Sequence, residues 1–194
     1  RFYDCNSGDI SIDDNPINLL SLESIRQSIG IVFQDVYIFG STIKDNILFG
    51  NPSATEEEII EASKAAQLHD YIIELPDQYN TKVDEKGDTL SGGLKQRVGL
   101  ARLFLMNPSI VIMDEPTSAL DNITEKNIQN SLDRFLKDKT VITIAHRLST
   151  IRDYDRIYVL EHGIITESGS HEQLLAKNGL YKKFIIQTKE AGLL

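Results

Sequence analysis

The sequence has one cysteine, Cys5, so no disulfide can form within the chain, which points to a reducing compartment. It has no block of Lys or Arg, and its acids outnumber its bases 29 to 20, for a net charge of -9. Nucleic-acid binding rests on neutralising phosphates with a basic surface, so this balance argues against such a partner. No apolar run approaches the ~20 residues needed to cross a bilayer, and no signal peptide is visible. There is no initiating Met: the chain starts at Arg1, in what reads as the end of a helix. The sequence is therefore expected to be a piece of something longer. What it does have is 194 residues, 41% of them hydrophobic. That is enough for one domain, or a domain with a subdomain, around a substantial core.

The stretch Ser109-Ile-Val-Ile-Met-Asp-Glu-Pro-Thr-Ser-Ala-Leu-Asp121 organises the rest. Residues 109–113 have the length and β-branched content of a strand buried on both faces. The run ends in two adjacent carboxylates, Asp114 and Glu115, and Pro116 biases Glu115 towards extended backbone. Acids at the carboxyl end of a buried strand stand where open α/β sheets bind ligands. Neighbouring strand side chains point opposite ways, so one acid can hold a metal while the other faces a water. An isolated Asp-Glu pair reads more simply as an acidic turn, and the surrounding chain decides between the two.

Residues 9–13 alternate as a half-exposed strand, and Asn15-Pro16 turns the chain. A short helix over 21–28 leads to an apolar strand, 30–34, ending in Gln34. Ser41-Thr42 caps a helix to about Leu48. Thr55 with Glu58 is a capping box for a helix to about Ala66. Further helices are predicted over about 68–75 and from Ser91 to about Met106, where Asn107-Pro108 stops the second. The polar run 77–89 between them is loop. Asp121 starts a helix to about Leu136, followed by a buried strand, 140–144. Strand 156–160 pairs with 163–167 as a hairpin. Ser170 with Gln173 caps a helix, and a last helix covers about 180–189. The alternation of strands and helices after residue 108 suggests a parallel sheet. The almost wholly helical stretch 41–108 suggests an inserted subdomain.

Leu90-Ser91-Gly92-Gly93 opens a helix, whose free N–H groups and positive dipole end suit a phosphate that glycine lets approach. Alone, the triplet is more often a flexible turn. With Lys95-Gln96-Arg97 it resembles the signature motif of ATP-binding cassette (ABC) ATPases. The run Met113-Asp-Glu-Pro-Thr-Ser-Ala-Leu-Asp121 resembles their Walker B motif and D-loop. Gln34 stands at the Q-loop glutamine and His146 at the switch histidine, whose bland alternative is an exposed loop histidine. Four motifs in order make the resemblance specific, and it runs from Arg1 to about Phe184.

The resemblance implies an α/β fold: a P-loop NTPase (RecA-like) parallel-sheet core lacking its N-terminal part, formed by 1–40 and 109–194, with the helical subdomain 41–108. It implies ATP and Mg²⁺, held by Asp114 and Gln34, with Glu115 as general base and His146 at the γ-phosphate. Ser91, Gly92 and Gly93 would bind the γ-phosphate of ATP on a second cassette in a head-to-tail dimer. Asp121 would contribute at that interface, or simply cap its helix. Thr81-Lys-Val-Asp-Glu-Lys-Gly87 looks like the X-loop of exporters; residues 1–4, 145–150 and 155–160 with Gly163 look exporter-like too. Exporters fuse the cassette behind a transmembrane domain. Tyr37 and Phe39 are candidates for the groove where its cytoplasmic loops dock, or for satellite core packing. The implied function is ATP hydrolysis powering export, at the cytoplasmic face of the cell membrane. The alternatives are a soluble ABC ATPase of DNA repair or the ribosome, and an inert fragment.

Three departures stand out. The Walker A pattern G-x-x-x-x-G-K-[ST] is absent, since residues 87–92 have its glycine spacing but Gly93 and Leu94 follow. In the family that motif lies shortly before the position of Arg1, and its strand lies in the sheet between strands 140–144 and 156–160. Another chain, a swapped segment or a rearranged sheet is therefore expected to fill the gap. Leu94 stands where exporters usually carry Gln; at N3 it forfeits the reciprocal capping-box bond, so Gln is expected to stabilise the helix. Cys5 stands where Pro is usual.

Overall fold

The computed structural model describes residues 1–117, 119–144 and 151–190, the last three of these without side chains. The described chain divides into two compact units, Arg1–Ile142 and Thr143–Leu194.

The first unit opens without a helix, contrary to the reading of Arg1. The Arg1 guanidinium instead donates to the carbonyls of Ile17, Asn18 and Leu20. Strand β1 (Ser11–Ile12) pairs antiparallel with β2 (Asn15–Pro16). Asn15-Pro16, expected to turn the chain, is thus the returning strand. Asp13 and Asp14 make the turn, with φ of 47° and 61°, left-handed values that Asp tolerates better than most residues and that two-residue hairpin loops require.

Helix starts follow the capping signals. Ser21 caps α1 (Leu22–Ser28). Thr42/Asp45 and Thr55/Glu58 form complete capping boxes on α2 (Ile43–Leu48) and α3 (Glu56–Ala65). The short α4 (His69–Ile73) follows, then α5 (Gly92–Met106), capped by Ser91 and closed by left-handed Asn107. Asp121 caps α6 (Asn122–Leu136). The loop between α4 and α5 holds two single 3₁₀ turns, Gln78–Asn80 and Glu85–Gly87.

Strands β3 (Ile29–Val32) and β4 (Ile110–Asp114) run parallel, from Ile29 opposite Ile110 to Val32 opposite Met113. Strand β5 (Thr140–Ile144) flanks β4 on its other side. Val32, Val111 and Met113 join Ile47, Ile59, Leu100, Ile128 and Leu132 in one core shared by sheet and helices. Each such side chain contributes about 1.5–3 kcal/mol on burial. The expected two-face burial of β4 does not hold, nor does the expected burial of β5. Val111 and Met113 are buried, Ile110 and Ile112 are half-buried, and Ile142 on β5 is 54% exposed. The helices pack on the Val111–Met113 face and leave Ile31, which pairs with Ile112, to solvent.

In the second unit β6 (Ile157–Glu161) pairs antiparallel with β7 (Ile164–Gly169) across left-handed His162 and Gly163. Helix His171–Ala176, with the Ser170/Gln173 capping box, and helix Leu180–Glu190 follow. Ile157, Leu174, Tyr181 and Ile185 form their small core. Among the described residues nothing pairs with the second edge of β5, and β6 pairs with β7 alone. No described segment of this chain therefore fills the expected gap.

Candidate functional site

Because β3 and β4 are parallel and in register, their carboxyl ends lie side by side. Asp114 closes β4, half-buried, and Gln34 follows β3 by two residues, exposed. A carboxylate and an amide oxygen at one sheet edge are hard donors of the kind Mg²⁺ takes. Among the described residues no three His, Cys, Asp or Glu converge on a metal-sized site.

Glu115 departs from the extended backbone that Pro116 favours: its φ is 45°. That conformation costs a residue with a Cβ roughly 1–2 kcal/mol, so tertiary contacts must hold it. It also ends the strand's alternation, so the relative aim of Asp114 and Glu115 does not follow from strand geometry. Two contacts come from Gln96, which is 3% exposed. Its Oε1 accepts from the Ala119 N–H at 3.0 Å, and its Nε2 faces the Glu115 carbonyl at 3.5 Å. Thr117 Oγ1 donates to Glu125 Oε1 at 3.0 Å, tying the same segment to α6.

At the start of α5, Ser91 Oγ accepts from the Leu94 N–H at 3.3 Å. Gly93 lies against Ala119: a Cβ there would sit 2.9 Å from the Ala119 carbonyl oxygen. Gln34, Gly92, Gln96 and Ala119 line one cavity of about 240 Å³. The residues expected to belong to Q-loop, signature turn and D-loop thus meet within a single chain. Asp121 Oδ1 accepts from the Ile123 and Thr124 N–H groups at 3.1 and 3.0 Å. The Thr124 bond is the main reason its carboxyl sits below the usual range. The capping reading of Asp121 is therefore met. His146 lies outside the described residues. Gly87, in the decoy glycine pair, is a tight turn at φ 65° packed on Ile38.

A larger groove of about 1030 Å³ runs along β3 and is lined by Tyr37, Phe39, Phe49 and Arg102. Tyr37 and Phe39 are exposed and meet edge to face, with centroids 5.1 Å apart. The Tyr37 hydroxyl donates to Glu85 at 3.2 Å, which raises its pKa and links the 81–87 loop to the groove. Arg102 donates to the carbonyls of Tyr37 and Asn46 and to Asn46 Oδ1, each at 2.7 Å. Burial lowers its pKa to about 10, so it stays charged at neutral pH.

Gln96, quoted in the signature motif without a role of its own, and Arg102, not singled out at all, are the functional candidates that sequence reasoning missed. The available signal is that α5 is buried nearly all round, with Leu94, Val98, Gly99, Leu100, Ala101, Leu103 and Leu105 inside. A polar side chain on such a helix has to find partners. No described helix is long and apolar enough to cross a membrane.

Comparison with known proteins bears on the fold and the family. A structure titled "Structure of a bacterial Atm1-family ABC exporter with ATP bound" superposes with a TM-score of 0.92 at 44% identity, covering 97% of this chain and 33% of that one. The P-loop NTPase fold with a parallel sheet is therefore shown. Among curated proteins, the "Putative multidrug export ATP-binding/permease protein" of Staphylococcus aureus strain NCTC 8325 is 52% identical over 182 residues, and that of strain COL equally so. These residues are 94% of this chain but 32% of the relatives, so the chain spans about a third of their length. The family model described as ABC transporter matches residues 1–118, more than half of the chain and the part that carries Gln34, Ser91 and Glu115. On that match, the chain belongs to the ABC transporter family.

Proposed function

We propose that this chain is the ATP-hydrolysing cassette of an exporter. The observation that carries the reading is the Asp114-Glu115 pair at the open end of a parallel sheet, braced against a helix that starts Ser91-Gly92-Gly93. The relatives' names, export ATP-binding/permease and exporter, favour transport over a soluble repair or ribosomal role.

In this reading residues 41–108 form the helical subdomain on a core made of 1–40 and 109–194. Asp114 and the Gln34 amide oxygen would hold Mg²⁺, which when bound would supply positive charge at the phosphates. Glu115 takes the proton of the water that attacks the γ-phosphorus of ATP, and His146 helps place that water. Ser91, Gly92 and Gly93 donate to the γ-phosphate on a second cassette, and Asp121 lies at that head-to-tail contact. The Tyr37–Phe39–Phe49 groove receives loops of the transmembrane domain at the cytoplasmic face.

The test is Glu115→Gln in the full-length exporter. ATP binding should persist while hydrolysis stalls and the cassette dimer lives longer. Near-normal turnover would remove Glu115 from the role of base.

A further inference from the structure

We propose that Gln96 is a positioning residue for hydrolysis, a role that rests on the cassette reading above. Gln96 sits on the second turn of α5, the helix whose first turn is the Ser91-Gly92-Gly93 signature. Its side chain leaves that helix and reaches the segment between the two proposed functional carboxylates, Glu115 and Asp121. There its amide is used at both ends: Oε1 takes the Ala119 N–H and Nε2 faces the Glu115 carbonyl.

The segment needs such a tie. Glu115 holds a φ of 45°, which no preference of Glu-Pro supplies. A side chain from a rigid, buried helix can over-determine that turn, as strained functional backbone requires. Gly93 closes the same contact from the helix side, since the Ala119 carbonyl fills the space of its missing Cβ. The carboxylate that must meet a water is thus registered to the helix that must meet a partner's phosphate. A displacement of α5 therefore moves the base with it. Both of these bonds go to backbone, at Ala119 and Glu115, so Gln96 acts through the placing of Glu115 and not as a catalytic group.

The role separates from mere packing by what each variant keeps. Gln96→Leu fills the volume but loses both bonds. Gln96→Glu keeps the acceptor for Ala119 and loses the donor to Glu115. In the full-length exporter, Gln96→Leu should lower kcat for ATP about 10- to 100-fold with KM within about twofold, the signature of a misplaced base and not of lost binding. Gln96→Glu should lower kcat as well, because the tie to Glu115 is lost in both variants. Amide exchange at Ala119 should quicken in Gln96→Leu and stay near wild type in Gln96→Glu. Adding Gln96→Leu to Glu115→Gln should cause no further loss of the residual rate. Two results overturn the proposal: kcat within twofold of wild type in a folded Gln96→Leu protein, or parallel changes in kcat and KM with Ala119 exchange unmoved. The Glu115→Gln control separates the two levels. An enzyme slowed by Glu115→Gln but not by Gln96→Leu removes the role of Gln96 alone. An enzyme indifferent to Glu115→Gln removes both.

Discussion

The Leu94 N–H donates to Ser91 Oγ while the Leu94 side chain, 7% exposed, packs into the main core. The capping serine and the residue at N3 are thus bound at the backbone, and the N3 side chain has a second use. This reverses the expectation that Gln would improve the helix. A reciprocal cap is worth about 0.5–1 kcal/mol, whereas a buried Leu contributes about 1.5–3 kcal/mol. Leu94→Gln should therefore lower stability by about 1–2 kcal/mol. A urea melt of the purified chain measures it, and a gain would show that the core closes without Leu94.

The two signature glycines should respond oppositely to a methyl group. Gly→Ala on a helix usually gains up to about 1 kcal/mol through propensity. At Gly92 the new Cβ would meet only the Ala119 Cβ at 3.6 Å, an ordinary contact, so Gly92→Ala should be neutral or stabilising. At Gly93 it would meet the Ala119 backbone oxygen at 2.9 Å, and backbone cannot step aside as a side chain can. Gly93→Ala should melt lower than Gly92→Ala and loosen amide exchange at Ala119. Equal melting temperatures would mean that the segment after Glu115 shifts freely.

These two sites also mark what the sequence made legible. Local signals carried far: Thr42, Thr55, Ser91, Asp121 and Ser170 all cap the helices their spacing predicted, because a cap is decided within four residues. Apolar runs placed Asp114 at a strand end and Gln34 within two residues of one, while the pairing of the two strands came only from the structure. What failed was decided by contacts distant in sequence. Glu115 defies its Pro116 because Gln96, 19 residues earlier, holds the turn. Leu94 looks like a lost cap until the core around it is known. Strand β4 reads as buried on both faces, and β5 as buried, because their composition says only that they are apolar, not which face has a partner.

Stability should depend on pH through Asp45, the acid of the α2 capping box. Its carboxylate accepts from the Ser41 hydroxyl at 2.5 Å and the Thr42 N–H at 3.3 Å. These bonds, the hydroxyl first, hold its pKa below the ordinary 3.8. A carboxyl depressed by folding contributes stability above its unfolded pKa and loses it as pH falls through the lower folded value. The wild type should exceed Asp45→Asn in melting temperature at neutral pH, and the difference should shrink below 3.8. A difference that persists undiminished in stronger acid would assign the effect to shape and not to charge.

The last prediction concerns nucleotide affinity and association of the chain as given. A nucleoside triphosphate is held mainly by Walker A backbone N–H groups and their Lys, and no G-x-x-x-x-G-K-[ST] occurs in these 194 residues. In the proposed reading, Asp114, Gln34 and the Ser91-Gly92-Gly93 turn serve only the metal or a partner's phosphate. Mg-ATP should bind no tighter than about millimolar, or about 4 kcal/mol. The sheet adds a second consequence. Strand β5 pairs on one side only among the described residues, and Ile31, Phe33 and Ile142 are 47%, 61% and 54% exposed. An open edge beside exposed apolar side chains is a template for self-association. Light scattering should therefore rise with concentration and fall with moderate urea before the core melts. Calorimetry with Mg-ATP on the same samples tests the other half. Micromolar binding by a dilute monomer would mean that phosphates are cradled by a part of this chain other than a Walker A loop, and that the open edge is closed in solution.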